Sequence, residues 1–84
     1  MNIDIKDKIT LSDNNTYVVV SKVNYQQKVY YYLIDENSLG NVKFCYENSN
    51  NNSVIEINDP ELIRTLIPLF TQKSKEMLEE NNNN

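Results

Sequence analysis

The residues able to do chemistry are few. Cys45 is the only thiol, and the chain has no histidine. A cysteine nucleophile needs a base or a cationic neighbourhood to raise its thiolate fraction, and histidine is the usual base. Cys45 stands between Lys43 and Glu47 in one phase, with Phe44 and Tyr46 in the other, and reads as a passive, half-buried thiol. Zinc requires a set of Cys, His or carboxylate ligands that one cysteine cannot anchor. The run Asp35-Glu36-Asn37-Ser38-Leu39-Gly40 puts an acid, an Asn and a Gly where a calcium loop has them. Leu39 then occupies a ligand position, and Tyr46 stands where the bidentate Glu belongs. The run reads as an ordinary loop with Gly40 in a left-handed conformation, and neither metal nor cofactor is expected.

Glu47, Glu56 and Asp59 could serve acid–base chemistry if folding joined two of them in a closed pocket, which keeps a small carboxylate-dependent hydrolase or ligand binder open. No Ser-x-x-Lys arrangement or glycine-rich phosphate loop is present. Tyr25, Tyr30, Tyr31 and Tyr32 near Lys22 and Lys28 form a group of the kind that stacks bases. Charge argues against that use. The net charge is −4, and five Lys against seven acids in 1–58 and three basic residues against five acids in 59–84 leave −2 on each part. Neither part is a basic arm, so no nucleic acid is expected.

Composition narrows the setting. Fifteen Asn, seven Lys against one Arg, and the absence of Ala match the codon bias of an AT-rich genome, so these counts say little about chemistry. One cysteine cannot form a disulfide within the chain, which fits a reducing compartment. The start, MNIDIKDKITL, lacks a signal-like apolar run, and the longest apolar stretch, Val29–Ile34, is far too short to span a membrane. A cytoplasmic location without membrane contact follows as the expectation. The Asn14-Asn15-Thr16 and Asn51-Asn52-Ser53 sequons are then chance.

The elements that would position these groups follow from periodicity. Ile3, Ile5, Ile9 and Leu11 share a phase that Asp7 interrupts, predicting two short extended pieces around a turn. After the turn cluster 12–15, the Val- and Tyr-rich runs Thr16–Asn24 and Lys28–Asp35 predict an antiparallel hairpin across Tyr25-Gln26-Gln27, whose type is left open without Gly. A polar loop, 35–41, leads to a third strand, Val42–Glu47. A polar connector, 48–53, leads to a short edge strand, Val54–Ile57. Asp59 as N-cap, Pro60 at the first helical position and Glu61 open a helix, with Leu62, Leu66, Leu69, Phe70, Lys73 and Met77 in one stripe. Pro68 predicts either a kink or two short helices. The helix should fray from Glu79, giving a single domain over 1–80 and a disordered Asn tail over 81–84. The fold class is α+β: an antiparallel meander of three to five strands with a Pro-interrupted C-terminal helix packed on one face.

One helix covers one face of a sheet, and such strands should alternate apolar with polar. These strands are apolar in both phases. With the helix on the Tyr17, Val19, Val23, Tyr31 and Leu33 face, Val18, Val20, Tyr30, Tyr32 and Ile34 need another cover. Three covers stay open: a curled half-barrel with Ile3–Leu11 crossing that face, a protein partner or second copy, or a small ligand.

Four segments carry a family resemblance: Asp7-Lys8-Ile9-Thr10-Leu11, Tyr17-Val18-Val19-Val20, Tyr31-Tyr32-Leu33-Ile34-Asp35 and Asp59-Pro60-Glu61-Leu62. Over 5–70 the chain resembles short intracellular proteins of low-GC Gram-positive bacteria and their phages, similar in outline to the YrzB-like family of unknown function. Gln26-Gln27 stand where that family usually has Gly in the hairpin turn, and the start is less acidic than the family's. The resemblance implies no activity, cofactor or catalytic residue.

The expected function is therefore a small cytoplasmic, non-enzymatic protein-binding module whose partner is another protein or a second copy of itself, with Val18, Val20, Tyr30, Tyr32 and Ile34 as its partner-binding face. A phage or mobile-element inhibitor of a host system is the alternative within the same class.

Overall fold

The computed structural model describes residues 3–48, 50 and 53–82, and of residues 74 and 76–82 the backbone alone. Five strands form one antiparallel sheet in chain order: β1 (Lys8–Thr10), β2 (Thr16–Tyr25), β3 (Lys28–Asp35), β4 (Ser38–Asn48) and β5 (Ser53–Glu56). A single helix, α1 (Pro60–Asn82), follows. The α+β meander with its C-terminal helix is the expected fold. Pro68 lies inside one continuous helix and does not separate two. The expected tail partly falls outside the description, at residues 83–84.

Local chemistry explains the turns. The β2–β3 hairpin pairs Tyr25 with Lys28, leaving Gln26 and Gln27 as a two-residue loop with φ of 48° and 68°. Both loop residues left-handed is the type I′ pattern, normally built from Asn-Gly, and two glutamines adopt it here at a steric cost. Gly40 has no positive φ and lies within β4. The expected loop over 35–41 is thus a tight turn at Glu36-Asn37 followed by strand. Asp35 builds that turn by accepting the Asn37 backbone N–H on Oδ1 at 2.9 Å. At the helix start Asp59 Oδ1 accepts the Glu61 N–H at 3.0 Å, and the Asp59 carbonyl accepts from Ile63 at 3.0 Å. This is the expected N-cap, with Pro60 at a position that needs no donor.

The register decides the faces. Val19 pairs with Leu33, but Ser21 pairs with Tyr32, so Val20 is an extra residue in a bulge. A bulge reverses the side-chain phase beyond it. Tyr17 and Val19 therefore share a face with Tyr31, Leu33 and Cys45, whereas Val23 crosses to the face of Tyr30, Tyr32, Phe44 and Tyr46.

The helix packs on the second of these faces, opposite to expectation. Leu66 and Phe70 are buried with Tyr30 and Ile57, and Leu62, Ile63 and Leu69 join them against Val23, Tyr25, Tyr32, Phe44 and Tyr46. The physical reason is the bulge. It adds Val23 and Tyr25 to an already aromatic face and makes a broad platform for a helix stripe. The other face is the inside of the curl. Ile9 of β1 and Val54 of β5, at opposite sheet edges, pack on one cluster of Tyr17, Val19, Tyr31, Leu33 and Cys45, with Ile3 and Leu11 alongside. Of the covers left open, the curl of the sheet occurs, with the two faces exchanged. The segment 3–11 does not cross a face as a whole: Lys8–Thr10 is the edge strand β1, and Ile3, ahead of it, packs on the concave cluster.

Candidate interaction surface

The five residues expected to meet a partner divide into two groups. Tyr30 and Tyr32 lie under α1, which corrects their assignment to an uncovered face. Tyr30 is only 5% exposed, with Tyr25 and Tyr46 rings at 6.3 and 6.2 Å. Burial is the main cause that raises the Tyr30 phenol above its ordinary pKa. Tyr32 stacks on Phe44 at 5.2 Å with 9° between ring planes, and both tilt against Phe70 at 5.9 Å. These contacts join the helix to the sheet. Tyr30 is buried by them, and Tyr32 is left half-buried.

Val18, Val20 and Ile34 are half-buried and belong to neither apolar cluster. Val18 pairs with Ile34, and Ile34 with Val42, so the three side chains form one row across β2, β3 and β4 on the helix-bearing face. Val42 is 37% exposed, and Leu39 is 79% exposed. Leu39 lies where β4 carries extra residues, between the pairs Ile34–Val42 and Asp35–Ser38. Lys8, the partner of Val18 across β1, bonds Glu36 at 3.1 Å and edges the row with charge. Sequence reading missed Val42 and Leu39. Val42 shares the phase of Phe44 and Tyr46 along β4, and only the reach of the helix separates it from them.

The groups weighed for chemistry are held elsewhere. Cys45 is fully buried on the concave face, and burial, with Glu56 adding to it, pushes its thiol up to about 12. It is inert as a nucleophile at neutral pH. Glu56 bonds Lys43 at 3.3 Å, and Glu47 accepts from the Tyr31 hydroxyl at 3.4 Å. Asp59 caps the helix. One groove, of about 570 Å³, has Glu47 as its one carboxylate among the described residues, and the groove between the two sheet edges, of about 350 Å³, has Glu56. Among the described residues no cluster of Cys, Asp and Glu is arranged to hold a metal ion, and no helix is long and apolar enough to cross a membrane.

A polar cluster closes the end of the sheet nearest the β1–β2 and β3–β4 turns. The Tyr17 hydroxyl donates to Asp13 Oδ2 at 2.6 Å, and Asn41 Nδ2 donates to Tyr17 Oη at 3.1 Å and to Asp35 Oδ2 at 3.2 Å. Asp35 is buried, and Asn41 and the Asn37 N–H satisfy its two carboxylate oxygens. The Tyr17 hydrogen bond is the first cause that holds the Asp13 carboxyl below the usual carboxylate range, and the same bond raises the Tyr17 phenol. The cluster ties two turns together, with its donors and acceptors matched within the chain. No protein-family model matches the chain, and neither a curated protein nor a solved structure matches it significantly.

Proposed function

We infer that the chain is a small non-enzymatic module that binds a protein partner through the uncovered end of its helix-bearing face. The observation that carries this reading is the Val18–Ile34–Val42 row, outside both apolar clusters and accompanied by the exposed Leu39. Backbone ladders hold these β-branched side chains in place, so covering them costs little side-chain entropy. The row is small against the roughly 20–30 residues a side of a standard interface. It therefore serves as the apolar centre of a contact whose rim includes the Lys8–Glu36 pair. The buried, unpaired thiol of Cys45 agrees with a reducing, cytoplasmic setting.

The test combines sedimentation velocity over a wide concentration range with capture of partners by the tagged chain. The variant Val42→Asp with Ile34→Thr alters the row, and Ile67→Asp alters an exposed apolar residue of the helix as a control. The reading expects association with a partner, or with a second copy, that the row variant abolishes and the control retains. A wild-type chain that stays monomeric, and whose captured proteins are unchanged in the row variant, overturns it.

A further inference from the structure

The curled sheet edges close much of the concave face, one short segment completes the closure, and that segment's attachments are few. The register places Lys22, Tyr31, Cys45 and Glu56 in a single row across β2, β3, β4 and β5. Ile3 reaches over that row. Its carbonyl accepts from Lys22 Nζ at 2.8 Å, while the same residue lines the groove of about 350 Å³ that also contains Val54 and Glu56 of β5. Tyr31 and Cys45, in the middle of the row, have no exposed surface.

Beyond Ile3, the segment returns to the sheet through a turn. Asp7 N–H donates to the Asp4 carbonyl at 3.1 Å, and Lys6, at φ 80°, takes the turn position that favours glycine. The turn is clamped to β2 by two backbone bonds, Lys6 N–H to the Val19 carbonyl at 2.8 Å and Val19 N–H to the Asp7 carbonyl at 2.9 Å. On the far side of the turn, Lys22 holds the segment through the Ile3 carbonyl and through Asp4 Oδ1 at 3.5 Å.

We propose that residues 3–5 form a strap that opens from the concave face while the sheet stays folded, hinged at the Asp4–Asp7 turn and latched by Lys22. The clamp at Val19 lies beyond the hinge and survives the opening. What opens is one apolar anchor, Ile3, and one cationic latch, a small cooperative unit against the whole sheet. Opening uncovers the Tyr31–Cys45 row and makes an apolar concave face conditionally accessible, on the side opposite the proposed docking row and independent of it.

Cys45 is the chain's only thiol, so alkylation by iodoacetamide followed by intact mass reports the opening as a single adduct. The expected result is wild-type labelling faster than global unfolding, the latter extrapolated from urea kinetics. Lys22→Met keeps the aliphatic stem and loses the latch, and should accelerate labelling roughly tenfold, the worth of a hydrogen bond to a charged group. Asp4→Asn, at an exposed position, should accelerate it less. Added salt should accelerate wild type and leave Lys22→Met unchanged. Lys6→Gly relieves the turn and should slow labelling. Labelling that matches the global unfolding rate in wild type, and in each variant changes only in proportion to that rate, overturns the proposal.

Discussion

The concave face of the sheet is filled by Tyr17, Val19, Leu33, Tyr31 and Cys45 and closed by curvature and a strap, whereas the convex face is an aromatic platform under a 23-residue helix. On the concave side the rim groups find partners within the chain: Tyr17 with Asp13, Tyr31 with Glu47, Lys22 with Ile3. On the convex side the helix crosses the ring cluster and leaves the Val18–Ile34–Val42 row uncovered. A sheet apolar on both faces therefore needs two covers. The cover made by the helix is the one that falls short, because a helix covers a stripe while a curled sheet encloses a volume.

The sharpest way to break this comparison is to cut a large side chain from each face. Leu33→Ala and Leu66→Ala each remove a fully buried leucine, and each should cost about 2–5 kcal/mol by urea denaturation. The two losses should differ in kind. Leu33→Ala should loosen the sheet and lower the unfolding midpoint for every probe together. Leu66→Ala should release helical signal in far-UV circular dichroism ahead of the sheet.

Alkaline titration comes next in size and addresses the concave face. Burial pushes the Cys45 thiol up to about 12 from an ordinary 9.0, and the Tyr31 phenol up to about 12 from 10.0. Between those values the unfolded chain loses protons that the folded chain keeps. The stabilisation is therefore whole below the unfolded pKa and is lost as pH rises toward the folded one. The urea midpoint should begin to fall near pH 9 and continue falling past 10. Cys45→Ala should delay the onset to the tyrosine range.

A smaller effect is expected at the hairpin between the faces. Gln26→Asn with Gln27→Gly supplies the residues a type I′ turn favours and should stabilise by about 1–2 kcal/mol with no change in register. The smallest concerns Ser21, fully buried on the convex face, whose hydroxyl has no hydrogen-bond partner among the described residues. Ser21→Ala should stabilise by about 1 kcal/mol, since it removes the desolvated hydroxyl for little lost volume. A loss of stability in Ser21→Ala would mean the hydroxyl has a role at the bulge.

Much of the architecture is legible in the chain. Thr16–Tyr25 and Lys28–Asp35 declare themselves as strands by their Val and Tyr content, and the helix start is written in Asp59-Pro60-Glu61. The loop expected around Gly40 does not form, because Asp35 makes the turn through its side chain and Gly40 continues the strand. The candidate surface was half legible. Val18, Val20 and Ile34 lie outside both clusters as an uncovered face would, but Tyr30 in the same phase is core and Tyr32 packs half-buried against it. The register keeps Val18, Ile34, Tyr30 and Tyr32 on one face, and the reach of α1 over that face, which no period-2 pattern encodes, separates its two ends.

Sequence alone determined the type and order of the elements, the apolar character of both sheet faces and the shortage of catalytic groups, because these depend on local propensity and on side-chain inventory. Only the tertiary structure decided which face received the helix, where the strap lay and which apolar residues stayed uncovered. Those outcomes depend on one bulge and on the curl of the sheet. Both arise from contacts between residues distant in sequence, and no local pattern records them.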